Sequence, residues 1–387
     1  MQLSIYIHFP FCRSKCVYCD FCSFTADESM MEQYCGCLMR EMELYAEKYA
    51  GATVDTVYIG GGTPSIVPVP LMRRVLRKLH ESFSIPKGIE FTTEANPGTV
   101  TDSWLEAMAD GGVNRMSVGI QAKQDRLLKL LGRIHSFSQA EEALKMARSH
   151  GITNLSADLM FGLLTQTVEE YLDSIRAVAG TGVQHISAYA LKVEDGTRLK
   201  TMVETGGIAL PDEDETADMM DGGIHLLQSI GYRRYEISNF AKPGFRSQHN
   251  MKYWRQAYYL GLGLNAAGML PAENAVYMRQ SNTDNLQEYC KQLSAGRLPV
   301  NDRSLIYHRE AMFETVMLAL RTTDGVYFAD FKRMHGESLY HAYRDAIEEL
   351  QTRGWLCEID PADPRLVLNE QGLAMQNAAL MPFMDEN

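Results

Sequence analysis

The chain has 387 residues, 45% of them apolar, and 49 acidic against 37 basic side chains give it a formal net charge of −12. That length suffices for two or three packed units, and a surface this negative repels phosphate backbones, which argues against a nucleic-acid partner. No run approaches the roughly 20 apolar residues of a membrane helix, and the opening MQLSIYIHFPFC lacks the features of a signal peptide, so a cytoplasmic protein without a membrane span is expected.

From residue 1 to about 240, short apolar runs alternate with amphipathic stretches. Strands are predicted at residues 3–8, 54–60, 89–95, 115–120, 155–161 and 185–191. Several are almost continuously apolar, the pattern of strands buried on both faces. Between the first two, Met31, Tyr34, Leu38, Met42, Tyr45 and Tyr49 recur at helical spacing. A later helix is predicted to open at Ser138, with Glu141 completing a capping box, and to close at Gly151. Repeated strand–helix units imply parallel strands joined by right-handed crossovers. Six units predict an α/β fold, a partial (β/α)6 barrel over residues 1–240. Residues 241–300 are less regular, with strand-like runs at 258–264 and 276–279, and read as a separate extension. Residues 301–387 carry two amphipathic helices, one built on Met312, Phe313, Val316, Met317 and Leu320, the other on Leu339, Tyr343, Ile347 and Leu350. Short strands at 354–359 and 365–368 follow, which predicts a winged-helix-like α+β module. Its 8 Lys/Arg against 15 Asp/Glu favour a structural or docking role over DNA binding.

The chemistry concentrates after the first strand. Four of eight cysteines fall between Cys12 and Cys22, a crowding more typical of metal binding than of a disulfide framework. Cys35, Cys37, Cys290 and Cys357 read as small packing residues. Cys12, Cys16 and Cys19 form a C-x3-C-x2-C loop. Three soft thiolates on a short loop suit three corners of a [4Fe–4S] cluster and leave the fourth iron open. A zinc site would call for a matching second pair, and Cys35 and Cys37 have the wrong spacing for it. Gly60-Gly61-Gly62-Thr63-Pro64 follows the second strand, where glycine lets backbone N–H groups approach a ligand. Glu94, Gln121 and Asp158 lie in or at the ends of the third, fourth and fifth strands, where barrel proteins place ligand contacts. Further on, His249-Asn250-Met251-Lys252-Tyr253-Trp254 offers an imidazole able to ligate haem iron and two flat rings able to cover a macrocycle. A histidine that caps a helix or bonds a carbonyl is the plain alternative.

Residues 6–21, YIHFPFCRSKCVYCDF, resemble the start of the radical S-adenosylmethionine (SAM) family that contains the oxygen-independent coproporphyrinogen III oxidase HemN and the haem chaperone HemW. The resemblance extends over nearly the whole chain. It implies a [4Fe–4S] cluster on Cys12, Cys16 and Cys19 whose open iron takes the amino and carboxylate groups of SAM. It also implies SAM contacts from Tyr6, Tyr18, Gly61, Gly62, Thr63, Glu94, Gln121, Arg133 and Asp158. Three features resemble the HemW branch: a cluster motif beginning at residue 12, the HNxxYW run, and Leu318–Val326. That branch implies a haem chaperone with His249 as haem contact, a haem-acceptor protein and an electron donor as partners, and the cluster and SAM in support. Radical decarboxylation of coproporphyrinogen III, or radical chemistry on haem itself, stays open. Three positions depart from the family pattern. Ala267 stands where a histidine is usual, the Gly162–Gln166 turn lacks its proline, and Cys22 falls one position later than the oxidases' fourth cysteine.

Overall fold

The computed structural model describes residues 1–384. All six predicted strands form, as β1 (Gln2–Phe9), β2 (Thr53–Gly61), β3 (Glu90–Ala95), β4 (Arg115–Gln121), β5 (Asn154–Phe161) and β6 (His185–Ala190). Each runs parallel to its neighbours in that order. Their alternation sorts the side chains. On β4, Met116, Val118 and Ile120 join the main apolar core, whereas Arg115, Ser117, Gly119 and Gln121 line an interior cavity. The crossover helices start at side-chain caps. Helix Phe137–Ser149 begins at Ser136, whose capping box is completed by Gln139. The cap thus lies two residues earlier than the predicted Ser138–Glu141 pair: Ser136 and Gln139 offer an equivalent box, and Phe137 and Ser138 are already helical. Gly151 ends the helix as predicted, at φ +82°.

The predicted boundary at residue 240 is not a boundary in the sheet. β7 (Arg233–Arg234) and β8 (Asn239–Ala241) continue antiparallel from β6. β9 (Tyr259–Leu262) pairs parallel with the other edge of β1, and β10 (Ala267–Leu270), β11 (Tyr277–Asn282) and β12 (Val300–Ile306) follow antiparallel. The result is one twelve-stranded sheet with seven parallel strands at its centre, so residues 241–300 belong to the barrel body. A buried carboxylate fastens them there. Glu41, on helix Glu28–Lys48, accepts hydrogen bonds from Gly263 N–H (2.8 Å), the Tyr289 hydroxyl (2.6 Å) and the Asn282 amide (2.6 Å). Burial pushes its pKa up to about 7 against the pull of those donors.

The C-terminal module has its own apolar core, built from residues such as Val316, Leu320, Phe331, Ile347, Leu350 and Phe383. Its second predicted helix is broken at Tyr343 into Leu339–Ala342 and Arg344–Thr352. The predicted hairpin is rearranged. β14 (Arg365–Leu366) pairs with β13 (Val326–Tyr327), and the 354–359 run contributes a lone bridge from Leu356 to Leu368. Among the described residues, no helix is long and apolar enough to cross a membrane.

Candidate cluster and cofactor cavity

The cysteine loop leaves the C-terminal end of β1 and folds back over the barrel mouth. It is pinned by backbone bonds from Cys12 N–H to Phe24 O (3.0 Å) and from Phe24 N–H to Pro10 O (2.8 Å). Beneath it lies a cavity of about 520 Å³ lined by Cys12, Cys16 and Cys19. Tyr18, Gly61, Gly62, Thr63, Glu94, Gln121, Arg133 and Asp158 line the same space, so every predicted cluster and SAM residue except Tyr6 meets there. The Cys12 thiol lies 3.5 Å from the Thr63 hydroxyl, and Arg133 donates to Cys16 Sγ (3.6 Å) and to Gly119 O (2.6 Å). Among the described residues, no three His, Cys, Asp or Glu side chains converge as ligands of a single metal ion. Cys12, Cys16 and Cys19 instead share the cavity wall, and three soft thiolates on one short loop suit an iron–sulfur cluster.

The glycines are there because nothing larger fits. A Cβ on Gly60 would lie 2.8 Å from the Glu94 carboxyl, one on Gly61 2.4 Å from the His8 ring, and one on Gly62 2.6 Å from Phe11 O. Gly61 also sits at φ +106°. This close approach lets Glu94 accept from Gly61 N–H (3.0 Å) and from the Tyr58 hydroxyl (2.7 Å). Burial lifts the Glu94 pKa to about 7, helped by nearby Asp158 and opposed by Tyr58, Gly61 N–H and Arg115. Asp158 accepts from the Ser117 hydroxyl (3.1 Å) and is likewise pushed up by burial. Gln121 closes β4 at φ +72°, a left-handed backbone of the sort that proteins maintain at binding sites.

Two expectations need correction. Tyr6 is not among the residues that line this cavity. Its hydroxyl bonds His8 Nδ1 (3.0 Å), and it lines a neighbouring cleft of about 530 Å³ with Phe21, Cys22, Tyr253 and Ala267. Tyr6 shares a face with its register partner Tyr58, which does line the cavity, and their ring centroids are 6.1 Å apart. Cys22 lines this side cleft and not the main cavity, and Ala267 occupies the cleft wall. His249 is not a free imidazole. Helix Gln248–Trp254 plugs the floor of the barrel, its N-terminus held by Glu90, which accepts from Gln248 N–H (2.9 Å) and His249 N–H (2.8 Å). His249 is 1% exposed, with Nδ1 2.8 Å from the Thr56 hydroxyl and Nε2 2.8 Å from the Tyr253 hydroxyl. Both ring nitrogens are engaged, so this arrangement offers none to haem iron. Burial lowers its pKa to about 3, and the ring is neutral. The rest of the motif faces elsewhere: Asn250 into the main cavity, Tyr253 into the side cleft, and Trp254 into a third cleft of about 400 Å³ beside Phe331 and Met334 of the C-terminal module.

Tyr58, Arg115, Ser117, Tyr189 and Asn250 also line the cavity and were not anticipated. The signal for two of them was available, because Arg115 and Ser117 share the period-two face of Gln121.

The seven parallel strands and the three-thiol loop over a polar barrel interior define a radical SAM protein. Residues 6–178 match the Radical SAM superfamily and residues 306–374 the HemN C-terminal domain. The chain is 30% identical to heme chaperone HemW of Bacillus subtilis over 384 residues (99% of each chain) and 33% identical to heme chaperone HemW of Escherichia coli over 385 (99% of this chain, 98% of the other). It is also 31% identical to the Bos taurus protein named radical S-adenosyl methionine domain-containing protein 1, mitochondrial, covering 99% of this chain and 87% of that one. The chain belongs to the HemW family of radical SAM proteins. The solved structure of the coproporphyrinogen III oxidase HemN from Escherichia coli superposes with a TM-score of 0.86 over 98% of this chain and 89% of that one, at 20% identity, which establishes a shared fold.

Proposed function

We propose that this protein is a haem chaperone of the HemW type, which binds haem and passes it to an acceptor protein. The observation that carries the reading is similarity along essentially the whole chain to proteins named for that role. In this reading Cys12, Cys16 and Cys19 hold a [4Fe–4S] cluster. Tyr18, the Gly61-Gly62-Thr63 loop, Glu94, Gln121, Arg133 and Asp158 frame SAM beside it. When bound, the pair supplies one-electron chemistry at the sulfonium, fed by an electron donor. The residues around it do simpler work: the glycines present N–H groups, Glu94 and Asp158 present negative charge, and Arg133 braces the loop through Cys16. His249 serves haem indirectly, by seating the helix that carries Tyr253 and Trp254. Residues 1–306 form the cofactor-bearing body, and the C-terminal module supplies a docking surface.

The test is anaerobic cluster reconstitution followed by parallel assays with haem and with coproporphyrinogen III. Expected are a stable haem absorbance, its transfer to an apo-haem protein, and no decarboxylation, with Cys16→Ala losing cluster iron. Conversion of coproporphyrinogen III with stoichiometric 5′-deoxyadenosine would overturn the chaperone reading.

A further inference from the structure

The floor of the SAM cavity holds a cation with no ion-pair partner among the described residues. Arg115 is 2% exposed; among the described residues its Nε has no hydrogen-bond partner, and Nη1 makes a 3.5 Å contact to the Thr92 hydroxyl. A buried guanidinium is costly unless its charge and donors are answered. It lines the same cavity as Glu94 and Asp158, and its charge is felt at both carboxyls. We propose that Arg115 is a positioning residue, which from the barrel floor supplies the positive charge that offsets Glu94 and Asp158 and sets the cavity to receive a sulfonium ligand. The proposal rests on the SAM reading of this cavity.

The charges facing the pair support it. Glu94 is faced by Tyr58, Tyr6 and Tyr253, by Asp158 and by Arg115. Arg115 is faced in turn by His185, His249 and Tyr235. Both histidines are held neutral by burial, so they add no cation to the floor. Arg133 reaches Asp158 only as a weaker influence and is itself engaged with Gly119 O and Cys16. With both carboxyls ionised, Glu94, Asp158 and Arg115 together carry one negative charge. SAM carries one net positive charge from its ammonium, sulfonium and carboxylate groups, whereas S-adenosylhomocysteine carries none. Receiving SAM therefore requires Glu94 to give up its proton, and Arg115 makes that easier.

Binding of SAM and of S-adenosylhomocysteine to the reconstituted protein, measured from about pH 5.5 to about pH 8.5, separates this role from a structural one. In the wild type, SAM affinity rises through neutral pH while that of S-adenosylhomocysteine stays nearly flat. Arg115→Gln shifts the rise upward by about one pH unit, so SAM binds about tenfold more weakly below pH 7. At the alkaline end the variant binds SAM more tightly than the wild type, because a repelling cation is gone. The two profiles cross, and Arg115→Lys restores the wild-type curve. Parallel, uncrossed curves, or an equal loss of both ligands in Arg115→Gln at unchanged thermal stability and iron content, would overturn the proposal. A wild type that binds no SAM would instead remove the cavity reading beneath it.

Discussion

Replacing His249 with alanine separates a structural histidine from a haem ligand. The substitution removes two 2.8 Å hydrogen bonds and leaves the hydroxyls of Thr56 and Tyr253 without their partner. Thr56 is fully buried, so its stranded hydroxyl costs about 1–3 kcal/mol. Tyr253 borders a cleft that water can enter, so its loss falls near the low end of that range. With the void left by the ring, the expected destabilisation is about 3 kcal/mol. The pH dependence is a second, independent signature. A folded-state pKa of about 3 against about 6.5 in the unfolded chain means that the unfolded chain binds the extra proton between those values. The contribution is present above about pH 6.5 and is lost as pH falls towards 3, on the order of 5 kcal/mol in all. Urea unfolding of wild type and His249→Ala at several pH values measures both quantities. The variant should be less stable at pH 7 and lose less stability on acidification, while its haem absorbance persists wherever it stays folded. Equal stability and equal acid sensitivity, with haem binding abolished, would falsify the structural role and restore His249 as a direct ligand.

Other substitutions probe the frame of the site. Gly61→Ala sets a methyl 2.4 Å from the His8 ring at φ +106°. The strain of about 1–3 kcal/mol should fall on the loop and weaken SAM binding by about tenfold or more, and a wild-type dissociation constant with intact iron content would refute that. For Glu41, the native pKa of about 7 lies above the ordinary 4.5. Between these values the unfolded chain releases a proton that the native state keeps, so the stability this group confers is full below about pH 4.5 and declines as pH rises through 7. Glu41→Gln should therefore be less stable than wild type by about 1–2 kcal/mol near pH 5, with the gap closing towards pH 8. A gap independent of pH in thermal melts would sink this account.

The parallel strands and the cavity lining were legible in the sequence because each depends on local pattern. Runs such as residues 54–60 and 155–161 are apolar, β-branched and bounded by glycine, and polar residues at strand ends have few other places to go. What depended on distant partners was not legible. β9 became the seventh parallel strand because Ser4–Ile7 had a free edge for Tyr259–Leu262, and nothing within 259–262 states that partner. His249 looked like a ligand by residue type, yet its bonds are to Thr56, which lies 193 residues away, and to Tyr253. Arg115 was not legible because a charged residue at the start of a strand usually reaches solvent, and here it is 2% exposed and turned into the cavity.

The parallel pairing of β1 with β9 also bears on how the chain is made. The first strand finds β2 about fifty residues later, but its other edge stays unpaired until residues 259–262 have been synthesised. For that interval the nascent protein exposes the edge of a mostly apolar strand, a template for wrong pairing. The Glu41 bonds to Gly263, Asn282 and Tyr289 come later still, so helix Glu28–Lys48, just after the cysteine loop, is not locked until then. The support beneath the loop of Cys12, Cys16 and Cys19 is thus completed only once residues 263–289 have been made, and that ordering is built into the strand sequence itself.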